Sequence, residues 1–421
     1  MGLSIDFESK YNKPAVPLVL SEFVIQAGEV SINHGMPAKR IQFVRGPAWA
    51  RTREQVRRAI IQGNNPITGK PVMAELISKL TAPLTEEEKK TGELKRDTGP
   101  AVFTDTHDNL QAMFLEKRWT DFLPVILPTE EKVEDMLKGT SRFPEEALGR
   151  MSANSPDEYW TYTVRTAAIN AVMAGCKPEY LPLLLAIGST GMESINVSDS
   201  CWVSAMVING NIRDEIGLNY GVGAMGPHAL ANTSIGRAWN LLSINGGNCG
   251  KAGTTYMGTV GNPMNLGNIV IAENEIESPF EPFSTRLGRG YKRGQNVVSL
   301  FNGWGVLPSK NWKFNDWGAP SEHGWRDLNY PQIIKDIIGV QDALFGACAV
   351  LNPPIANFVK DAGYDTIEKF TEWLLTPEAG QERHHLRPNQ VHIFVTGGSS
   401  NNYWSMGALN YNMSVEIDPW R

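Results

Sequence analysis

Apolar positions along this chain change texture near residue 100. The first hundred residues are rich in Pro, Lys and Arg and show few long apolar periods, whereas from about residue 105 helical and strand spacings recur. Leu110, Met113, Phe114 and Trp119 predict a helix opened by His107-Asp108, and Val133, Met136 and Leu137 predict another, started by Pro128-Thr129-Glu130-Glu131. In TVRTAAINAVMAGC small and apolar residues occupy every face, which predicts a buried helix that Cys176-Lys177-Pro178 stops. Leu181, Leu184 and Leu185 then suit a further helix. Short runs at 202–209 (WVSAMVIN), 268–272 (NIVIA), 296–301 (NVVSLF) and 391–395 (VHIFV) read as strands, with helical patterns at 331–350 and 365–375. The expected fold is α/β: a mixed sheet covered by helices in a ligand-binding or catalytic domain over 101–421, preceded by an extended N-terminal arm over 1–100.

Within the arm, Lys39, Arg40, Arg45, Arg51, Arg53, Arg57 and Arg58 make a basic cluster, read as a solvated face or a contact with acidic surface. Thr52 and Gln55 have the spacing of a capping box for a helix over 53–62. An arm with so little core of its own should wrap a neighbouring subunit, which predicts a homo-oligomer. The segment GNNPITGKP at 63–71 departs from the Walker pattern at Asn64 and Pro71, and 85–99 reads as a charged surface turn or linker.

Composition narrows the partners. Of 421 residues, 42% are hydrophobic and 20% charged, as in an ordinary globular protein, and the net charge of -6 argues against nucleic acid, whose phosphates need a positive field. The opening MGLSIDFESKYNK lacks a signal pattern and LPLLLAIG is too short to span a bilayer, so no membrane and a cytoplasmic location are expected. Cys176, Cys201, Cys249 and Cys348 lie far apart with no CxxC spacing. His384-His385 and His392 have no metal-ligand partner at HxH or HxxxH spacing, so the metal and cofactor content stays open.

Candidate chemistry concentrates in 217–283, where Gly and Asn are dense. GVGAMG at 221–226 matches GxGxxG, but the polar NIRDEIGLNY before it does not suit a Rossmann site. The better reading is a small anionic substrate held behind Gly221, Gly223 and Gly226 at the start of a helix capped by Asn232 or Thr233 and ended by Asn245-Gly246-Gly247. Arg237 would clamp a carboxylate, with Asn209, Asn232 and Asn265 orienting it. His228 stands as a general acid or base. Alternation places Glu273 and Glu275 on one face after NIVIA, where mutual repulsion would raise one pKa for proton transfer or the two would share a divalent cation. Cys249 on a glycine loop beside Lys251 is a candidate thiol nucleophile. The segment 395–407, with Tyr403 and Trp404, reads as a polar loop that closes the pocket. Tryptophans in GWGVLPSKNWKFNDWGAP suggest subunit contacts or an aromatic wall.

WTDFLPVILPTEEKVEDML, AAINAVMAGCKPEYLPLLLAI, VINGNIRDEIGLNYGVGAMGPHALANTSIGRAWNLL and AENEIESPFEPF together resemble an uncharacterised bacterial family associated with UGSC-type (seleno)proteins. The likeness covers roughly 110–300 closely and 330–400 loosely. No UGSC or CGSC tetrapeptide occurs in this chain, so the resemblance implies a separate redox module and a catabolic role on a small molecule, and it carries no catalytic residue across.

Two readings follow. One is an enzyme, a lyase or oxidoreductase cleaving a carbon-heteroatom bond of a small carboxylated compound, with a separate thiol or selenol partner. The other is a noncatalytic ligand-binding or docking subunit of a redox enzyme complex. Convergence of His228, Arg237 and Glu273 in one cavity favours the first, and their scattering favours the second.

Overall fold

The computed structural model describes residues 2–46, 52–90, 102–152, 159–195, 201–258, 260–308, 329–340, 346–377, 386–400 and 402–421. Arg51, most of the charged run at 85–99, the Trp-rich segment beyond residue 308 and His384-His385 lie outside them. The chain divides into two compact units, Met1–Asp105 with Ser152–Trp160 and Asn248–Met257, and Thr106–Met151 with Thr161–Gly247 and Gly258–Arg421.

The smaller unit contains α1 (Gly2–Tyr11), β1 (Leu18–Leu20), α2 (Val24–Asn33), β2 (Gln42–Val44), α3 (Arg53–Ile60) and α4 (Val72–Thr81). β1 and β2 pair in parallel. Thr52 and Gln55 form the expected capping box at the start of α3. Ile5, Val30 and Met36 make the apolar core here. The basic cluster of the sequence splits. Lys39 is buried and pairs with buried Glu8 at 2.7 Å, and Nζ also donates to the Ala15 carbonyl. Arg40 engages Glu88 through both Nε and Nη2, at 2.6 and 2.7 Å, which holds that carboxyl at about 2. Arg45, Arg53, Arg57 and Arg58 remain exposed.

The larger unit carries α5 (His107–Glu116), α6 (Glu130–Leu137), α7 (Val164–Ala174) and α8 (Leu181–Ser189), each close to the sequence expectation. Thr106, Thr129 and Thr163 cap the first three, and Gly175, at φ 83°, ends α7 where only glycine is free of strain. β3 (Ala147–Ser152) and β4 (Tyr159–Thr163) form a small two-stranded sheet. The remaining elements are β5 (Val203–Asn209), α9 (Ile212–Glu215), α10 (Leu230–Gly247), β6 (Ile269–Ala272), α11 (Phe283–Arg286), β7 (Val297–Pro308), α12 (Tyr330–Val340), β8 (Ala347–Leu351), α13 (Pro353–Asp361), α14 (Ile367–Leu374), β9 (Val391–Val395) and β10 (Trp404–Glu416).

These strands form one mixed six-stranded sheet in the order β6-β5-β7-β10-β8-β9. β5 runs parallel to β6 and antiparallel to β7, while β8 runs parallel to β9 and antiparallel to β10. The long antiparallel β7–β10 pair joins the halves. Matching β5, β6 and β7 to β8, β9 and β10 makes the order read the same from either edge, so the sheet consists of two units of equivalent strand topology.

Alternation along the strands divides the apolar side chains among three cores. Met206, Ile208, Val270 and Leu300 face α7, α8 and α10. Ala349, Leu351, Ile393 and Val395 face α12, α13 and α14. The third core draws Val207, Ile271, Phe301, Cys348, Phe394 and Leu409 together from both halves, including both outer strands. A sheet whose two outer strands share one core has curled toward closure.

Two strands differ from the sequence reading. β8 falls inside the segment expected to be helical at 331–350, because five fully buried apolar residues carry no polar partner to reveal period two. β10 begins in the segment expected to be a loop at 395–407. It contains glycine and asparagine, and register shifts at Ala408/Leu409 and Tyr411/Met413 break its alternation. β7 also runs on past residue 301, through Gly303, where a Cβ would come within 2.0 Å of the Ala408 carbonyl oxygen.

The buried Lys39–Glu8 pair gives a first test. Lys39→Met should destabilise the smaller unit by about 3–5 kcal/mol, since it leaves a buried carboxylate without its cation. Limited proteolysis within the first 105 residues should accelerate, whereas unchanged cleavage and an unchanged denaturation curve would contradict the reading.

Candidate functional site

Where the outer strands β6 and β9 meet, their C-terminal ends are pinned across the seam. The Asn274 amide donates to the Val395 carbonyl at 2.8 Å. The Val395 amide donates to Glu273 Oε1 at 3.3 Å, and Thr396 Oγ1 donates to the Ala272 carbonyl at 2.6 Å. Glu273 and Thr396 hold equivalent places. The Glu273 amide donates to Ile208 of β5 and the Thr396 amide to Leu351 of β8. Each follows the second strand of its own unit and reaches to the last residue of that strand in the other. The closure is thus reciprocal, and it satisfies backbone groups that two sheet edges would otherwise expose.

Glu273 is buried and does more than span the seam. Its Oε2 accepts from Asn209 Nδ2 at 2.7 Å and from the Phe283 amide at 2.6 Å, which anchors α11. Burial raises its pKa, against the opposing pull of the Arg286 charge and the donors from Phe283, Asn209 and Val395. Asn209 Nδ2 also reaches Glu275 Oε1 at 3.2 Å, and its Oδ1 accepts the Ser284 amide. Glu275 takes the Gly210 amide at 2.8 Å and faces Arg213 at 3.4 Å. Arg213, itself buried, donates to the Gly210 and Glu273 carbonyls and stacks on Tyr220. The expected proton-transfer pair is therefore a structural knot. Glu273 and Glu275 are bridged by a shared amide donor, Asn209 Nδ2, and both carboxylates are engaged in the interior.

Arg237 is not an anion clamp. Its guanidinium grips Asp121 through two bonds, of 2.8 and 2.9 Å, and donates to the Pro124 carbonyl. Its neighbour Gly236 packs against Gly267 and accepts from Asn268, at the start of β6, while Glu273 follows its end. The four residues of β6, five steps of about 3.3 Å from Asn268 to Glu273 or about 16 Å, separate those two ends. Asn265 also lies before β6, where its carbonyl accepts from Asn240 Nδ2, so it too is remote from Glu273. Cys249, the candidate thiol nucleophile on the glycine loop, is fully buried and belongs to the smaller unit. Burial likewise raises Cys176 to about 12 and raises Cys348.

The helix expected to be capped by Asn232 or Thr233 starts earlier, at Leu230. Asn232 instead ties down the preceding glycine loop. Its Oδ1 accepts the Asn219 amide at 2.8 Å and its Nδ2 donates to the Asn219 and Ala224 carbonyls. Thr233 Oγ1 donates back to Ala229 within the helix. Gly223 and Gly226 are shaped around His228 rather than around an anion, because a Cβ on either would stand 2.7 Å from His228 Cδ2. Gly223 also has φ 77°, whereas Gly221 meets no such crowding. The His228 ring is exposed and has no hydrogen-bond partner among the described residues.

Three loops are tied together at the strand ends. The Gly397 amide donates to Tyr220, Asn274 Nδ2 to Gly397, Asn352 Nδ2 to Gly398 and Ser399 Oγ to Glu277. A Cβ on Gly398 would strike Val222. These loops carry Val222, Met225, Ile276 and Tyr403 as exposed side chains. His228 and Tyr403 are thus the expected site residues that remain available, with Gly221, Gly223 and Gly226 forming the loop beneath. Among the described residues no group of three His, Cys, Asp or Glu side chains could hold a metal ion, and no helix is long and apolar enough to cross a membrane.

Sequence reasoning missed Arg213, Thr396, Arg286 and His392. Arg213 lay within the NGNIRDE run four residues after Asn209, but nothing in the run distinguished an internal cation from a solvated one. His392, buried on β9, packs against the rings of Phe283, Phe301, Phe394 and Tyr411, and its Nε2 has no hydrogen-bond partner among the described residues. Burial, aided by the nearby Arg286 charge, pushes its pKa down to about 3.

The chain matches no protein-family model and shows no significant match to a curated protein.

Two outcomes test this geometry. Glu273→Ala should cost about 3 kcal/mol or more, because three buried donors lose their acceptor, while Glu273→Gln should cost clearly less. Equal losses in urea denaturation would contradict the pinning role. For His392 the unfolded chain takes up a proton below its ordinary pKa of 6.5, whereas the folded chain does so only near 3. Stability therefore falls with pH across that window, by about 1.4 kcal/mol per unit in its middle. His392→Phe should flatten urea midpoints between pH 6.5 and 4 relative to the parent, and parallel curves would refute the assignment.

Proposed function

We propose that this chain is a ligand-binding or docking subunit of a redox enzyme complex, and that the tied loops at the strand ends are its contact surface. One observation carries the reading. The charged groups that the sequence offered for catalysis are used internally, Glu273 by the seam, Glu275 by Arg213 and Asn209, and Arg237 by Asp121. What the same end offers outward is Val222, Met225 and Ile276, the aromatic Tyr403 and the His228 imidazole. A small set of apolar and aromatic anchors on loops held by a rigid sheet suits recognition. The redox character of the partner rests on the resemblance to the family associated with UGSC-type (seleno)proteins.

The second reading keeps an enzyme acting on a small carboxylated compound by lyase-type or reductive cleavage. Its support is the exposed His228 ring, set against the two crowded glycines and without a hydrogen-bond partner among the described residues. The readings separate experimentally. Purified from its own host and measured by native mass spectrometry, the chain should carry a thiol- or selenol-bearing protein. Val222→Asp with Ile276→Asp should weaken that complex about tenfold or more without altering the melting temperature. Turnover by the isolated chain that disappears in His228→Ala would overturn the docking reading in favour of the enzyme.

A further inference from the structure

The strand-end loops carry charge beside their apolar anchors, and the free charge is of one sign. No Lys or Arg occurs in 217–229, 274–282 or 396–403. Asp214, Glu215, Glu277 and Glu281 are exposed at this end. Glu215 pairs with Arg421 and Glu281 with Arg293, while the buried Arg213 is taken by Glu275. Asp214 and Glu277 make no ion pair among the described residues. Their carboxylates accept only from hydroxyls, Asp214 Oδ1 from Tyr220 at 2.5 Å and Glu277 Oε2 from Ser399 at 2.6 Å. Both lie near the Tyr220 hydroxyl, whose pKa is raised by the hydrogen bond to Asp214 first and by burial next, with the Glu277 charge adding to that of Asp214 against the Arg213 cation.

The apolar anchors are interleaved with these two carboxylates. Exposed Ile276 directly precedes Glu277, and exposed Val222 stands against Gly398, next to the Ser399 that holds Glu277. The Gly397 amide donates to the Tyr220 carbonyl, which fastens the Asp214 side of the surface to the same loops. A partner that covers Val222 and Ile276 therefore takes Asp214 and Glu277 out of water as well. Burying an unpaired carboxylate is strongly unfavourable, and an acidic partner would add like-charge repulsion. We propose that the partner docks through a basic segment, in which a Lys or Arg side chain reaches Asp214 and Glu277 while a neighbouring apolar side chain covers Val222 and Ile276. The cation selects the partner and speeds the encounter, and the apolar contact sets how long it stays. This rests on the docking reading and adds to it the chemistry of what docks.

A random peptide library displayed on phage and selected on the full chain tests it. Enriched peptides should hold Lys or Arg next to Leu, Ile, Phe or Trp. With the most enriched peptide made synthetically, Asp214→Asn with Glu277→Gln should weaken binding about tenfold or more at low salt, and the difference should shrink at high salt. That pair of changes removes the charges but keeps acceptors for Tyr220 and Ser399, so the melting temperature should not move. Enrichment of acidic or uncharged peptides, no enrichment, or equal binding by the parent and the neutralised variant would overturn the proposal. A host complex that Val222→Asp with Ile276→Asp weakens and the neutralised variant leaves intact would sink the basic segment alone, whereas absence of any host complex would sink the docking reading with it.

Discussion

Closure of the sheet depends on two side chains that reach across the seam in opposite directions. Glu273 and Thr396 occupy equivalent positions after β6 and β9, yet Glu273 accepts from a backbone amide and the Thr396 hydroxyl donates to a backbone carbonyl. That asymmetry lets a duplicated arrangement close without leaving both edges as donors or both as acceptors. Around the seam, Asn209 and Asn352 each tie the end of a first strand to the loop that follows its parallel neighbour. The carboxylate at the centre is costly to bury, and its three donors together with the nearby Arg286 charge offset that cost. Such a group is therefore better understood as the fastener of the fold than as a reagent.

This assignment determines what the strand ends can do. In open α/β sheets ligands collect beyond the carboxyl ends of strands, where loops diverge and leave a crevice. Here the two sets of strand ends converge and fill that position with Asn209, Glu273, Glu275 and Arg213. The chemistry-bearing groups point inward, and the outward surface consists of loops bound to one another through Tyr220, Gly397, Asn274 and Ser399. A surface so constrained presents the same face to every encounter, which lowers the ordering cost of binding a partner.

Much of the architecture was legible in the residues. The capping threonines at 52 and 129, the all-round apolar α7 and the β-branched runs of β5 and β6 have the spacings that local physics demands. β8 was hidden because a strand buried on both faces has no polar period, and β10 because bulges and glycines interrupt its alternation. The site was legible only in part. Alternation set Glu273 and Glu275 on one face as a proton-transfer pair, but a carboxylate after a strand has the same one-dimensional signature whether it meets a ligand or a backbone amide 122 residues away. Arg237 illustrates the same limit, since its partner Asp121 lies 116 positions earlier in the chain. The glycines of GVGAMG were read as room for a ligand, and at Gly223 and Gly226 something does approach closely. What approaches is the ring of His228, two residues beyond the motif.

Native-state hydrogen exchange at the seam tests the account most directly. The amides of Val395, Asn274 and Phe283 donate into the pinned strand ends, so they should exchange only through global unfolding, with the protection of the buried core. In Glu273→Ala the Val395 and Phe283 amides should lose protection by about a hundredfold or more, ahead of the rest of the sheet. If in the parent protein these amides exchange as fast as those of the exposed loop at 221–226, the seam is not closed and Glu273 is free for another role.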